Sequence, residues 1–463
     1  MTRDVNSPAS SPANGVATDP LVVALTNIVG GDHVLTDADM RAGYETDWTG
    51  RYHGTTRCVV RPSDTAEVAA VVAACAAHGA AIVTQGGNTG LVGGGVPRSG
   101  EVVLSMARLT VLDAVDPAAS QVTAGAGVTI AALQRHARAS GLDFAVDWGA
   151  RDSATVGGAV ATNAGGSRVV RFGTMRAQVM GVQAVLADGA VITDLSGLPK
   201  ETLGPHLPAL LVGSEGTLAV ITAARLRLVP WYRQTAAALV TLHSLGAAVS
   251  LLAELRRLPH LDAAEILLPE ALSITCDVLG IPSPVDPSTG AAFVLVDCAA
   301  HQDPADELAE VLYAHEGVFA TGPRRDQLLH LRDHVSAAIN TLGVPLKLDV
   351  AVPVAALPEL VERTRELLRR LAPSARLVAF GHLAEGNLHL NVLNAGDAST
   401  AITDAVLRTV IELGGTISAE HGVGVAKTAW VSRVKGEAAA GVLRAVKHAL
   451  DPAGILNPGV LFD

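Results

Sequence analysis

The stretch that decides the fold is residues 81–97, AIVTQGGNTGLVGGGVP, in which a short apolar run enters a loop with six glycines. Residues 81–84 predict a short buried strand. The loop after it leaves backbone N–H groups open to an anion, because glycine has no side chain. It fits neither the Gly-x-Gly-x-x-Gly register of a Rossmann fold nor a Gly-Lys-Ser/Thr phosphate loop. Alone, it is typical of either a phosphate cradle or a surface connection.

Two further clusters of small residues lie at 153–167 and 213–217, far away along the chain. Residues 157–166, GGAVATNAGG, carry no charge, which is unfavourable for a loop that must stay solvated. Three such clusters together favour one extended dinucleotide, held mainly by backbone contacts.

The composition of the 463-residue chain excludes several classes of protein. Hydrophobic residues make up 49% and charged residues 17%, which excludes a disordered polymer and a coiled-coil rod. The net charge of -11 argues against nucleic-acid binding, which needs an excess of Lys and Arg. The four cysteines form no Cys-x-x-Cys pair, which excludes a zinc ribbon or an iron–sulfur run and favours a reducing, cytoplasmic location.

Two segments bear on targeting. Residues 1–20 lack the apolar region of a signal peptide and are predicted to form a disordered tail. Residues 234–253 contain no Asp, Glu, Lys or Arg and are long enough to span a bilayer, but polar residues such as His243 interrupt them. A strand at 236–242 followed by a helix from about Ser244 fits better, so no transmembrane segment is expected.

Helical and strand-like segments alternate along the chain, which predicts an α/β (α+β) fold. Helices are expected at residues 65–78, 129–140, 245–258 and 358–371. Strands are expected at residues 81–84, 102–105, 121–125, 182–186, 236–242, 292–297 and 388–393. We expect one lobe at residues 21–231, a second at 232–415 and a closing segment at 416–463.

Six motifs carry a resemblance to a known family: GGNTGLVGG from Gly86, DWGARDSATVGGAVATNAGG from Asp147, VGSEGTLAVIT from Val212, FGHLAEGNLHLNV from Phe380, AEHGVG from Ala419 and LNPG from Leu456. In this order they resemble the FAD-dependent D-2-hydroxyacid dehydrogenases of the vanillyl-alcohol oxidase/PCMH flavoprotein superfamily, which include D-2-hydroxyglutarate, D-lactate and glycolate dehydrogenases. The resemblance implies a PCMH-type FAD-binding lobe of two subdomains, an α/β substrate (cap) lobe and a C-terminal segment that returns to the flavin.

The resemblance assigns FAD contacts to the glycine clusters. The pyrophosphate would be held by Gly86, Gly87, Asn88, Thr89, Gly90 and Leu91. The rest of FAD would be lined by Ser153, Gly157, Gly158, Thr162, Asn163, Glu215, Gly216 and Val220, with Asn457 at the flavin ring. Some members bind flavin covalently through a loop histidine. Residues 85–90 contain none, so FAD is expected to be noncovalent; residues 199–206 depart from the family pattern, and no FAD contact carries over to them.

The motif FGHLAEGNLHLNV also holds candidate metal ligands. Residues 387–392 alternate strictly, so the leucines and the valine fall on one face of a strand and Asn387, His389 and Asn391 on the other. Together with His382 and Glu420, His389 makes a His/His/carboxylate set, which suits a divalent transition metal such as Zn²⁺. A lone histidine more often satisfies a local hydrogen bond, whereas the set in the family's register favours a metal site.

The remaining candidates concern the substrate. Arg332 and Ser336 share a helix face by their i,i+4 spacing, and with Lys347 and Asn391 they would hold carboxylate groups. His421 is adjacent to Glu420 and is assigned as the general base. His334 lies on another face of the Arg332 helix and is interpreted as structural.

The activity implied is FAD- and metal-dependent oxidation of a D-2-hydroxy acid to the 2-keto acid, by hydride transfer to flavin N5. Arg332 and Lys347 supply two cations, which favours D-2-hydroxyglutarate over D-lactate or glycolate. The alternatives are a metallohydrolase that uses the His/His/Glu site and a redox-neutral enzyme of the alkylglycerone-phosphate synthase kind. The sequence does not identify the electron acceptor among an electron-transfer flavoprotein, a quinone and a cytochrome. It also leaves open whether the chain forms a homodimer.

Overall fold

A computed structural model describes residues 19–462. The predicted disordered tail therefore lies outside the described residues over positions 1–18. Asp19 caps the first helix by accepting a hydrogen bond from the backbone N–H of Leu21 at 3.0 Å, and that helix begins at Pro20. The last two residues of the predicted tail are thus part of the folded lobe.

Strands and helices alternate throughout the described residues. In chain order, strands β1 to β17 are Val34–Leu35, Thr56–Val60, Ile82–Gln85, Glu101–Ser105, Gln121–Gly125, Leu142–Asp143, Val179–Val185, Val191–Asp194, Val220–Arg227, Val229–Pro230, Gln234–Leu242, Leu261–Leu267, Ala292–Ala300, Gly317–Thr321, Leu346–Ala351, Arg376–His382 and Asn387–Leu393. Helices α1 to α16 are Pro20–Val29, Ala38–Arg41, Thr65–Ala77, Ile130–Ala139, Val156–Thr162, Val169–Phe172, Met175–Gln178, Leu207–Leu211, Leu245–Leu255, Pro269–Leu279, Ala305–Leu312, Pro323–Thr341, Leu357–Leu371, Ser399–Glu412, Val431–Lys435 and Glu437–Leu450.

Every helix and strand predicted from the sequence is present, and no end differs by more than three residues. Helix α3 illustrates why. Asp64 caps it by accepting from the backbone N–H of Glu67, and a stripe of Val and Cys side chains at helical spacing is buried. Residues 234–253 form β11 and most of α9, as predicted. No helix within residues 19–462 is long and apolar enough to cross a membrane.

Two four-stranded sheets, each with its own apolar core, form most of the N-terminal lobe, and β6 pairs with β10 in a small third sheet. The first has the order β1-β2-β4-β3, with β2, β4 and β3 parallel and β1 antiparallel to β2. The second has the order β5-β9-β7-β8 and is antiparallel. The loop with six glycines follows β3, so it lies at the carboxyl edge of the parallel strands.

One seven-stranded antiparallel sheet forms the cap lobe, with the order β14-β11-β13-β12-β16-β17-β15. Helices α9, α13 and α14 cover one face with a large apolar core. Helices α10 and α12 cover the opposite face through a second core. The site described below lies on this second face, over β16, β17 and β15.

Buried ion pairs join the two lobes. Arg168 and Arg171 follow the second glycine cluster and both bind Asp262 at the start of β12, at 3.2 and 2.5 Å. The closing segment also returns to the N-terminal lobe, where the backbone N–H of Asn457 donates to Ile82 O at 2.8 Å. These contacts fix the cap sheet and the chain terminus against the glycine loops.

Candidate active site

Strand register collects the polar residues of the cap lobe on one face. Asp349 on β15 pairs with His389 on β17, and His382 on β16 pairs with Asn387 of β17 and with Glu265 on β12. Leu388, Leu390 and Val392 of β17 lie on the opposite face in the apolar core, as the alternation predicts. Glu420 reaches this face from the loop after α14.

His382, His389 and Glu420 form a compact cluster. His382 Nε2 lies 3.3 Å from Glu420 Oε1, and His389 Nε2 lies 3.8 Å from Glu420 Oε2. For N and O ligands about 2.1 Å from a tetrahedral Zn²⁺, neighbouring ligand atoms lie roughly 3.4 Å apart. The donor set and its spacing therefore fit a divalent transition metal.

Both histidines have a carboxylate behind the ring. His382 Nδ1 lies 2.7 Å from Glu265 Oε1, and His389 Nδ1 lies 3.4 Å from Asp349 Oδ1. Metal-binding histidines commonly have a carboxylate at the second ring nitrogen, which fixes the tautomer and the ring direction. Here that arrangement points both Nε2 atoms at Glu420.

A second group, made of Asp349, His389 and His421, also brings three donor atoms close together. The Asp349 carboxylate of this second group already accepts hydrogen bonds from the protein. Asp349 Oδ2 accepts the backbone N–H groups of three successive residues, at 3.1, 2.8 and 3.0 Å: Ala419, Glu420 and His421. Asp349 Oδ1 accepts from Asn387 Nδ2 at 2.9 Å. Glu420 Oε2 has no such donor within residues 19–462, so the first group is better suited to hold a cation.

The charges within the cluster are strongly coupled. Burial alone would lower the pKa of His382, but the carboxylates of Glu265 and Glu420 raise it well above its ordinary value. Burial would raise the pKa of Glu420, but His382 and His389 lower it to about 2. His382 and Glu420 are thus a buried pair of opposite charges, and a cation held by these two side chains would take the place of the His382 proton.

His421 stacks on His389, with ring centroids 5.4 Å apart and planes 7° from parallel. Burial lowers the pKa of His421 to about 4, although the Asp349 carboxylate opposes this. Its Nδ1 lies 3.9 Å from Asp349 Oδ2. The imidazole is therefore unprotonated at neutral pH, so a ring nitrogen is available to a proton donor beside the cluster, but its lowered pKa makes it a weaker base than an ordinary imidazole.

Arg332 lies on α12, above the same face. Its Nε donates to Glu265 Oε2 at 2.5 Å, and its guanidinium lies over the ring of Phe380 at 4.8 Å. This contact leaves the terminal amino groups for a ligand. Ser336 follows one turn later on the same helix and is half-buried. His334 Nδ1 lies 2.7 Å from His330 O, which is a local contact within the helix.

Lys347 on the edge strand β15 pairs with Asn391 on β17. Lys347 Nζ lies 5.5 Å from the centroid of the Trp48 ring. Asn391 Nδ2 donates to Val378 O at 3.3 Å and to His389 O at 3.1 Å. Its amide therefore offers an acceptor oxygen, which suits a hydroxyl or an ammonium group rather than the carboxylate expected from the sequence.

The three glycine clusters converge with the closing segment. Gly86 and Gly87 pack so closely on residues 153–155 that a Cβ on Gly87 would lie 1.9 Å from Ser153 O. The Glu215 carboxylate accepts the backbone N–H groups of Val423 and Gly424 at 2.8 and 2.7 Å. Chain-distant backbone loops thus lie side by side, as a cradle for an extended dinucleotide requires.

Comparisons with known proteins agree with this arrangement. Residues 56–194 match the FAD binding domain family, and residues 232–461 match the C-terminal domain of FAD linked oxidases. The chain is 33% identical to the D-2-hydroxyglutarate dehydrogenase of Xanthomonas citri pv. viticola, over 96% of this chain and 98% of the relative. It is 34% identical to the mitochondrial D-2-hydroxyglutarate dehydrogenase of Bos taurus, over 96% and 84%. The chain belongs to the FAD-dependent D-2-hydroxyacid dehydrogenase family.

Solved structures support the fold. p-Cresol methylhydroxylase with substrate bound superposes with a TM-score of 0.77 at 17% identity, covering 96% of each chain. The predicted PCMH-type fold with its cap lobe is confirmed, and the protein is an FAD-dependent oxidoreductase. Membership of a flavin enzyme family leaves the metallohydrolase alternative without support.

Several residues that the resemblance assigns to FAD use their side chains inside the protein. Asn88 Nδ2 donates to Thr46 O, and Asn163 Oδ1 accepts from Thr174 Oγ1. Asn457 Nδ2 donates to Gly94 O and to Glu215 O, both at 2.8 Å. Val220 is fully buried in the apolar core. For Asn457, whose Oδ1 also accepts from Arg98 Nη2 at 3.4 Å, and for Val220, the backbone is the part left for a cofactor.

The other assigned residues lie in the loops themselves. Thr162 Oγ1 donates to Gly158 O at 3.0 Å, inside α5. A Cβ on Gly90 would meet no atom within 4 Å, whereas one on Gly157 would lie 2.6 Å from Ala126 Cβ. One glycine thus borders open space, and the other allows close packing of the loop. The divergent residues 199–206 are all exposed.

Two carboxylates of the site were not predicted from the sequence. Glu265 joins Arg332 to His382, and Asp349 holds the loop that carries Glu420 and His421. Asp349 is the one acid of β15 and stands two residues after Lys347, on the same strand face, whereas Glu265 shares β12 with Asp262. The sequence shows both acids within their strands, but the residues that each carboxylate contacts depend on the order of strands in the sheet.

Proposed function

We propose that the protein oxidises D-2-hydroxyglutarate to 2-oxoglutarate, with noncovalent FAD and a divalent cation, Zn²⁺ by its donor set. When bound, FAD supplies a hydride acceptor and the cation a Lewis acid toward a hydroxyl group. His382, His389 and Glu420 would hold the cation, and the backbone of the glycine loops would hold FAD.

One observation carries the choice of substrate. In the sheet order β12-β16-β17-β15, Arg332 is anchored over the first of these strands and Lys347 lies on the last. The His382 and His389 pair lies between them. A cation on each side of the cluster matches a hydroxy acid with two carboxylates, whereas D-lactate or glycolate would leave one cation unpaired.

Each residue of the site would have a distinct role in binding the substrate or accepting its proton. Arg332, with Ser336, binds the carboxylate next to the hydroxyl, and Lys347 binds the distal one. Asn391 Oδ1 accepts a hydrogen bond from the hydroxyl or from Lys347. His421 Nε2 takes the hydroxyl proton, because its imidazole is neutral and its Nδ1 faces Asp349.

A panel of D- and L-2-hydroxy acids tests the proposal. The holoenzyme is mixed anaerobically with each acid, and the bleaching of the flavin absorbance is followed by stopped flow. We expect fast bleaching by D-2-hydroxyglutarate, slower bleaching by D-lactate and none by the L-isomers. Equal rates for D-lactate and D-2-hydroxyglutarate would remove the substrate assignment, and no bleaching by any acid would remove the proposed reaction. The same assay with candidate acceptors would identify the electron acceptor.

A further inference from the structure

A closed loop of the N-terminal lobe reaches the cap site. Asp47 is buried and organises residues 47–52: its carboxylate accepts from the Tyr52 backbone N–H at 2.9 Å and from Thr49 Oγ1 at 2.5 Å. The ring closes when the Asp47 backbone N–H donates to Tyr52 O at 3.0 Å. Trp48 and Arg51 are thereby held on a defined loop.

This loop contacts the distal end of the proposed substrate site. The Trp48 ring lies 5.5 Å from Lys347 Nζ, within the range of a cation–π contact. Arg51 lines a cavity of about 280 Å³ together with cap residues 342–346 and 393–396. It also lines a second cavity, of about 140 Å³, with Gly93 of the first glycine cluster. Arg51 thus stands where the two lobes meet.

Arg51 and Lys347 are like charges on neighbouring segments, since Arg51 lines the cavity beside Leu346, which precedes Lys347 in β15. Burial and the positive charge of Arg51 both lower the pKa of Lys347. Neither residue has a carboxylate within ion-pair distance among residues 19–462, although most other arginines near the site do. Two neighbouring cations without a counter-ion repel each other, and a bound anion relieves that repulsion.

We propose that Arg51 is a specificity-determining residue that completes, with Lys347, a clamp for the distal carboxylate of the substrate. The inference rests on the proposed function and deepens it, because it makes the preference for a dicarboxylate depend on both lobes. Arg51 offers a planar pair of donors, Lys347 a point charge, and Trp48 directs the ammonium group. Substrates whose far end is apolar would leave both cations without a counter-ion.

The test compares two substrates of equal length, D-2-hydroxyglutarate and D-2-hydroxyvalerate, whose far end is a methyl group. In the FAD-loaded enzyme, Arg51→Gln should lower kcat/KM for the dicarboxylate by roughly 10- to 100-fold, the worth of a charge-assisted hydrogen bond, and leave the monocarboxylate unchanged. Arg51→Lys should recover part of the loss, because it restores the charge but not the fork. The Kd of 2-oxoglutarate, from titration calorimetry, should rise with Arg51→Gln by a similar factor, whereas that of 2-oxovalerate should not.

Arg369→Gln is the matched control, since Arg369 is 68% exposed on α13, which covers the opposite face of the cap sheet. If Arg51→Gln lowered kcat/KM equally for both substrates, or left kcat/KM for D-2-hydroxyglutarate unchanged, the proposed role of Arg51 would be overturned. That outcome is distinct from a failure of the proposed function, in which the unchanged enzyme itself would not prefer D-2-hydroxyglutarate over D-2-hydroxyvalerate.

Discussion

The carboxylate of Asp349 accepts the backbone N–H of His421 at 3.0 Å, which ties the edge strand of the cap sheet to the loop that carries the proposed base. The same oxygen accepts from Glu420, the proposed metal ligand. Burial alone would raise the pKa of Asp349, but the neighbouring side chains of His421 and His389 hold it well below its ordinary value. One buried carboxylate therefore positions both a ligand and a base.

Replacing Asp349 with Asn should destabilise the fold and disorder this loop. The amide keeps one acceptor oxygen, so either the loop N–H groups or Asn387 must lose a partner. We expect the free energy of unfolding to fall by about 2–4 kcal/mol, the cost of leaving buried polar groups unsatisfied. Urea unfolding followed by circular dichroism measures this change.

Asp404→Asn is the control for that experiment. Asp404 lies on α14 and pairs with Arg408 at the surface, 2.7 Å away. Exposed pairs contribute about 0–1 kcal/mol, so this variant should remain close to the unchanged protein. If Asp349→Asn were as stable as Asp404→Asn, the positioning role of Asp349 would be wrong.

The sequence predicted the parts of this site that have a local pattern. Period-two alternation placed His389 on a polar strand face, and the motif around Glu420 and His421 located the loop. It could not predict that Glu265 lies between Arg332 and His382, because that contact spans 67 residues and depends on β12 lying beside β16. The direction of the Asn391 amide was likewise unreadable, since it is set by Val378 on the neighbouring strand.

The cysteines should be inert in the folded protein. Burial raises the pKa of Cys58 to about 11 and that of Cys75 to about 12, and Cys298 is also fully buried. At pH 8 a thiol with such a pKa is about 0.1% thiolate or less, and the thiolate is the reactive form. We expect iodoacetamide to label the protein only after unfolding, as measured by intact mass, with glutathione as the reagent control. Stoichiometric labelling of the native protein would contradict this.

Replacing Glu265 with Gln should weaken its contacts with both Arg332 and His382. The change removes the charge that anchors Arg332 and orients the His382 ring. Outer carboxylates of this kind contribute about 10- to 100-fold to metal affinity, so metal should be lost at lower chelator concentration, and KM should rise. Metal content after graded chelation, measured by mass spectrometry, reports the first effect. Glu359→Gln on the exposed face of α13 serves as control, and equal metal retention in both variants would argue against the bridge.

Removing the metal should separate cofactor binding from chemistry. The proposed ligands His382, His389 and Glu420 lie on the cap lobe and its following loop, whereas the glycine loops belong to the N-terminal lobe. An excess of chelator should therefore leave the flavin absorbance in the protein fraction but stop its bleaching by D-2-hydroxyglutarate. Adding Zn²⁺ should restore bleaching. A metal-free enzyme that still reduced its flavin at the full rate would remove the metal from the proposal.

His421→Asn should slow the chemical step without preventing binding. A general base contributes about 10²- to 10⁴-fold, because the hydroxyl proton must leave as the hydride does. Arg332 and Lys347 are unaffected by the change, so the Kd of 2-oxoglutarate should move by less than about threefold while flavin reduction at saturation falls by roughly 100-fold or more. His334→Asn is the matched control, since its ring contacts its own helix, at His330 O and at the His330 ring. A loss confined to KM would make His421 a binding residue, and the proton would then need another acceptor within reach of the cluster.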